Sequence, residues 1–195
     1  MSGLSRRAMR AGLVLVAALS IAGLAAAQDA PRWIVDHSHS QLTFDAAAEG
    51  VAFTGRFATW DADIHFDPKQ LAKSKVVVTI ETASALTGEG SRDDSAHGPD
   101  WLASAMFPKA TFTTRSIKDL GSGKYEATGD LTIRDATQTV TFPFTLAMTG
   151  DDVTVTGQTV IDRSKFGVGQ GEYGTPEVVP FDVTVKVSLA AKLAK

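Results

Sequence analysis

Apolar and polar residues alternate at period two again and again along this chain, and that alternation limits it to sheet. Leu42, Phe44, Ala46 and Ala48 alternate with Thr43, Asp45, Ala47 and Glu49. Trp60, Ala62, Ile64 and Phe66 alternate with Asp61, Asp63 and His65. Tyr125, Ala127, Leu131 and Ile133 oppose Glu126, Thr128, Asp130 and Thr132, and Val140, Phe142, Phe144, Leu146 and Met148 oppose Thr141, Thr145 and Thr149. Val179, Phe181, Val183, Val185, Val187 and Leu189 oppose Asp182, Thr184, Lys186 and Ser188. Successive side chains on a strand point to opposite faces, so each segment has one face to bury. Less regular strands fit Lys75–Glu81, Ala110–Ile117 and Val153–Asp162. Turn residues separate the segments at Asp67-Pro68, Gly121-Ser122-Gly123 and Gly150-Asp151-Asp152. The expected fold is all-β, with eight antiparallel strands. A barrel is preferred to a sandwich because closure leaves no edge strand. Eight strands enclose enough space for side chains or one slender ligand.

Ser91 to Phe107 breaks the alternation. Pro99-Asp100-Trp101-Leu102 is expected to open a short helix with Pro99 in its first turn. Trp101, Leu102, Met106 and Phe107 make the segment apolar, as a cap over one end of the barrel must be. No repeat or linker follows Gln28, so residues 28–195 are read as one domain.

The N-terminus carries Arg6, Arg7 and Arg10, then an uncharged apolar run from Ala11 to Leu24, then Ala25-Ala26-Ala27. That is the layout of a secretory signal peptide spanning residues 1–27, and it predicts a periplasmic mature chain starting at Gln28. A membrane anchor is the lesser alternative, since the run falls short of the roughly 20 residues a spanning helix needs. Losing three arginines and no acids moves the formal net charge from −3 to −6, which disfavours nucleic acid and anionic membrane surfaces as partners. With no cysteine in the chain, disulfides, thiol nucleophiles and zinc–thiolate sites are excluded.

Candidate chemistry is sparse. Asp36, His37 and His39 lie together, while His65 and His97 lie apart, and a metal site needs three or four converging ligands. A side-chain-to-backbone turn at His39-Ser40, starting the next strand, explains the first group without metal. Ser38, His39 and Asp36 contain the residue types of a hydrolytic triad, but there is no Gly-x-Ser-x-Gly elbow anywhere. The Gly167-Val168-Gly169-Gln170-Gly171 stretch lacks a following Lys-Ser/Thr and helix, so it reads as a flexible turn at the barrel rim. No catalytic or metal residue is assigned, and no cofactor.

The interior remains. The candidate ligand-binding wall consists of Phe44, Trp60, Ile64, Val78, Phe112, Leu131 and Ile133, continued by Phe142, Phe144, Leu146, Phe166 and Phe181, with Trp101 and Phe107 over the mouth. Periodicity does not separate a filled barrel from a hollow one.

Six ordered motifs carry a resemblance. They are Trp33-Ile34-Val35-Asp36 with His39-Ser40; Phe44 with Gly55-Arg56-Phe57; Phe66-Asp67-Pro68; and Phe107-Pro108 with Thr111-Phe112-Thr113. Gly129-Asp130-Leu131-Thr132-Ile133 with Thr137 and Val140 follows, then Asp162-Arg163-Ser164-Lys165-Phe166-Gly167. From Trp33 to Leu189 the chain resembles the YceI-like family of secreted, lipocalin-like domains associated with polyisoprenoid binding. It departs from the family pattern at Ala48, where His is usual, at Asp135, where Gly is usual, and between Asp93 and Leu102. The resemblance implies an extended barrel holding a long isoprenoid chain, such as a quinone tail or polyprenyl phosphate, or a similar amphiphilic lipid. The implied role is non-catalytic transport or sequestration in the periplasm, not spanning the membrane after processing. Two other classes stay open: an enzyme acting on such lipids through His39 and Asp36, and an accessory protein presenting quinone to a membrane b-type cytochrome. A homodimer is also left open.

Overall fold

The computed structural model describes residues 30–195; the expected signal peptide, residues 1–27, lies outside them. The described elements are β1 (Arg32–Val35), β2 (Gln41–Ala48), β3 (Val51–Phe57), β4 (Trp60–His65), β5 (Lys75–Glu81), β6 (Ala85–Leu86), α1 (Gly90–His97), β7 (Lys109–Gly121), β8 (Lys124–Ile133), β9 (Ala136–Thr149), β10 (Asp152–Asp162) and β11 (Asp182–Leu193). The order β1-β4-β5-β7-β8-β9-β10-β11 returns to β1, so the sheet closes. Every pairing is antiparallel.

The eleven segments make eight staves, because three staves are interrupted. β11 pairs with β2 through Thr184–Ser188 and with β1 through Ala191–Leu193, so β1 and β2 are halves of one stave. By the same logic β3 continues into β4, and β5 into β6. The expected eight-stranded antiparallel barrel is therefore the observed one. The alternation had revealed β2, β4 and β5 but not their partners β1, β3 and β6.

Side-chain hydrogen bonds make the interruptions. Asp36 accepts from the Ser38 amide at 3.0 Å and from its hydroxyl, and its other oxygen lies 2.8 Å from His39 Nδ1. The Ser40 hydroxyl donates to the Asp36 carbonyl at 2.7 Å and accepts from the Ala190 amide at 2.9 Å, splicing the broken stave onto β11. This is the turn expected at His39-Ser40. At the β5–β6 break the Thr82 hydroxyl donates to the Phe107 carbonyl at 2.7 Å.

The helix lies earlier than expected. It ends before Pro99, whereas the sequence reading had Pro99 opening it. Glu89 caps it, accepting from the amides of Ser91 and Arg92 at 2.9 Å each. A residue before proline is driven out of helical geometry, and Gly98 is extended at ψ 170°.

One seam is incomplete. β9 and β10 pair from Thr149↔Asp152 to Phe144↔Gly157 and then diverge. The next residue on β9 is Pro143, which has no N–H to continue a ladder. Past it, Thr159 Oγ1 donates to the Thr141 carbonyl at 2.8 Å and Gln138 reaches the Lys165 carbonyl at 3.4 Å.

Candidate functional site

The two ends of the barrel are built differently. At one end, Trp33, Phe66, Ile117, Tyr125, Val153, Leu189 and Ala191 form a buried cluster. Trp33 Nε1 donates to the Phe66 carbonyl at 3.0 Å, Phe66 meets Tyr125 edge-on at 5.6 Å, and Phe144 stacks on Tyr125 at 5.4 Å. This plug closes the bottom. Above it lies a cavity of about 610 Å³, within the range of small-molecule sites.

Eleven of the fourteen residues expected on the wall line that cavity: Phe44, Trp60, Ile64, Val78, Trp101, Phe112, Leu131, Ile133, Phe142, Phe144 and Leu146. Three do not. Phe166 is 1 % exposed but sits in the turn after β10, beside the diverged ends of β9 and β10, where strand parity no longer applies. Phe181 precedes β11, which begins only at Asp182, and its ring lies against the Arg163 guanidinium at 5.2 Å. Phe107 lies under the Arg134 guanidinium at 5.5 Å. Phe181 has an inward spacing but precedes the strand, whereas Phe107 and Phe166 lie outside the alternating segments. Phe53, Phe57 and Val155 also line the cavity, all at strand parity.

Several of the aromatic rings along the bore set their outer edges on glycine. A Cβ on Gly55 would collide with the Phe44 ring. One on Gly129 would come within 2.7 Å of the Phe112 ring, and one on Gly157 within 2.7 Å of the Phe142 ring. Glycine inside a strand marks such a close approach, and here it lets large apolar rings face the lumen without filling it.

The mouth is covered by α1 with the segment after it and by the loop between β10 and β11. Two arginines hold these covers. Arg163, 3 % exposed, donates to the carbonyls of Pro180 at 3.1 Å, Val168 at 2.7 Å, Gly169 at 3.3 Å, Tyr173 at 2.9 Å and Val179 at 2.6 Å. Burial pulls its pKa below the usual arginine value, with nearby Asp162 opposing. A Cβ on Gly169, at φ +81°, would overlap this guanidinium. The amides of Gly169 and Gln170 both donate to the Asp100 carbonyl at 2.8 Å. The Gly167–Gly171 stretch is at the rim, as expected, but it is a hydrogen-bonded turn clamped around Arg163, not a free one. Arg134 donates to the carbonyls of Pro99 at 2.9 Å and Trp101 at 2.5 Å, pinning the other cover. Pattern reading treats arginine as a surface residue and so passed over Arg163. Its signal was an arginine four residues before the first glycine of a glycine-rich stretch.

The polar cluster near β1 lies outside the bore. Asp36 accepts from Ser38 Oγ at 2.5 Å while His39 Nδ1 faces both groups. In a relay the imidazole stands between hydroxyl and carboxylate, using both nitrogens; here one nitrogen meets both, so this is a turn cap. These bonds hold the Asp36 carboxyl down at a pKa of about 2, from 3.8. His37 pairs with Asp61 at 3.3 Å and sets its ring edge on Trp60 at 5.3 Å. Among the described residues no group of three or more His, Asp or Glu is placed to hold a metal, and no helix is long and apolar enough to cross a membrane.

The barrel has solved relatives. BcnA of Burkholderia cenocepacia superposes with a TM-score of 0.78 at 35 % identity, covering 81 % of this chain and 99 % of that one. A polyisoprenoid binding domain from Saccharophagus degradans, implicated in plant cell wall breakdown, superposes at 0.67 with 16 % identity, over 84 % and 99 %. In sequence, a UPF0312 protein of Pseudomonas syringae pv. tomato is 30 % identical over 183 residues, 89 % of this chain and 93 % of the relative. The model of the YceI-like domain matches residues 33–191, from the plug tryptophan to the last turn of the closing strand, and the chain belongs to the YceI-like domain family.

Proposed function

We propose that this protein is exported to the periplasm and there binds a long-chain polyisoprenoid, or a similar amphiphilic lipid, to carry or sequester it without catalysis. The observation that carries this reading is the dead-ended apolar cavity of about 610 Å³, closed by the plug and walled by aromatic and branched side chains. Each buried methylene-sized group contributes about 0.8 kcal/mol, so one five-carbon unit contributes roughly 3–4 kcal/mol gross. Ordering the chain takes back part of that. A fold shared with a domain described as polyisoprenoid binding is consistent with such a ligand.

The test is mass spectrometry on the protein purified from an exporting host. Organic extracts should yield an intact isoprenoid or similar lipid in near-stoichiometric amount. An empty extract argues against a carrier, and cleaved products argue for an enzyme. Intact mass should place the mature start at or near Gln28; retained residues 1–27 on a membrane-bound product would overturn export.

A further inference from the structure

β9 and β10 are each laddered to their outer neighbours and come unlaced only from each other. β9 pairs with β8 from Ala136↔Ile133 to Thr145↔Lys124, and β10 pairs with β11 from Asp152↔Lys192 to Asp162↔Asp182. Between them the ladder stops at Phe144↔Gly157. Pro143, next on β9, offers no N–H. From there to the rim two side-chain bonds span the gap: Thr159 Oγ1 donates to the Thr141 carbonyl at 2.8 Å, and Gln138 Nε2 to the Lys165 carbonyl at 3.4 Å.

The barrel wall is one side chain thick at this gap. Val140, Thr159 and Ile161 line the cavity and also an outer groove along the seam. The outer lips of the groove include Thr141 and Val160, the latter 58 % exposed. Thr137 to Phe142 and Gln158 to Ile161 carry no charge. Lys165 and Asp162, at the head of the groove, pair with each other at 4.0 Å. An apolar chain crossing between the two strands would therefore strip water from no unpaired ion.

The other ways in are fastened more firmly. Arg163 and Arg134 hold the covers of the mouth by charged donors on backbone carbonyls, and the Gly169 and Gln170 amides tie one cover to the Asp100 carbonyl of the other. β3 pairs with β6 only at Arg56 and Phe57, and above that point α1 covers it, with the Arg92 guanidinium 4.1 Å from the centre of the Phe53 ring. Opening the mouth breaks many charge-assisted bonds together, whereas parting the upper seam breaks two neutral ones.

We propose that the upper β9–β10 seam is a lateral portal, through which an apolar chain enters and leaves the cavity sideways. This rests on the lipid-carrier reading and deepens it, since it supplies the ligand's route. A seam that closes again behind the chain has the same end states as one that never parts. The portal therefore sets the rates of exchange and leaves the affinity alone.

The experiment follows cis-parinaric acid, a slender polyene that fluoresces on leaving water, by stopped flow on the mature protein. The chain has no cysteine, so two introduced thiols can be bridged by a bismaleimide without background. One pair is Thr141→Cys with Val160→Cys, across the seam. The other is Asp100→Cys with Gln170→Cys, across the covers; all four positions are exposed. Intact mass verifies one bridge per chain, and thermal melts verify folding. The seam bridge should slow entry and exit together by about tenfold or more, with Kd held within about twofold. The cover bridge should change neither rate by more than about twofold. Thr159→Val removes one tie without any bridge and should speed both rates by about threefold to tenfold, the equivalent of one hydrogen bond. Exchange at the wild-type rate through a bridged seam overturns the portal. So does an equal slowing by the cover bridge, which would put the route at the mouth. Either result leaves the cavity standing as a lipid site. Fluorescence that never rises, in wild type or in any variant, removes the carrier reading and the portal with it.

Discussion

The bottom of the barrel and its mouth use the same eight staves for opposite ends. At the bottom, Trp33, Phe66 and Tyr125 belong to one buried cluster, with Phe66 edge-on to Tyr125. Higher up, Phe44, Phe112 and Phe142 are of similar bulk, yet they lie against glycines and leave the lumen open. Aromatic content therefore does not decide whether a barrel is hollow. What Phe44, Phe112 and Phe142 have, and the plug rings lack, is a glycine beneath each ring.

The sharpest way to break this comparison is to truncate one ring at each level. Trp33→Ala removes a side chain that is 4 % exposed, together with its bond to Phe66, and should cost about 3–5 kcal/mol in a denaturant melt. Arg163→Lys should come next, at about 2–4 kcal/mol, because one ammonium cannot serve five carbonyls in fixed directions. Hydrogen exchange should show the loss confined to the loop between β10 and β11. Phe142→Ala, facing empty space, should cost only about 1–2 kcal/mol, since little surrounding structure loses contact; a penalty matching that of Trp33 would mean the upper barrel is packed like the lower.

Gly55→Ala sharpens the same point from the other side. Its Cβ would push the far end of the Phe44 ring into the bore. Stability should change by about 1 kcal/mol or less, while lipid recovered on extraction falls. The smallest effect belongs to the turn outside the bore. The Asp36 pKa is depressed in the folded state, so its stabilisation is full above about 3.8 and is lost as pH falls toward about 2. In Asp36→Asn that acid-side loss should vanish from the pH–stability profile, with lipid binding unchanged.

Much of this was legible in the sequence because period two is a property of the strand itself. Trp60, Ala62, Ile64 and Phe66 declare their face without reference to anything distant. The unread parts depend on contacts across the fold. β1, β3 and β6 are short, or have glycine at an inward position, as at Gly55. The helix was placed too late because its signal is a glutamate cap, while Pro99 marks its end. Phe181 has the right spacing in the wrong kind of backbone, and Phe166 sits in a turn outside the alternating segments. The role of Arg163 exists only once Val168, Tyr173 and Pro180 have folded back over it.

A closed ladder is a hoop of fixed gauge, because each pair of staves is held about 4.8 Å apart by its hydrogen bonds. Below Phe144 and Gly157 the β9–β10 seam is a continuous ladder. Above them, where Pro143 ends the ladder, it is slit, and the circumference is set by threonine and glutamine side chains. Side-chain ties change length by rotating, whereas ladders do not. This seam is thus fixed in width below and adjustable above, with a single proline marking the boundary.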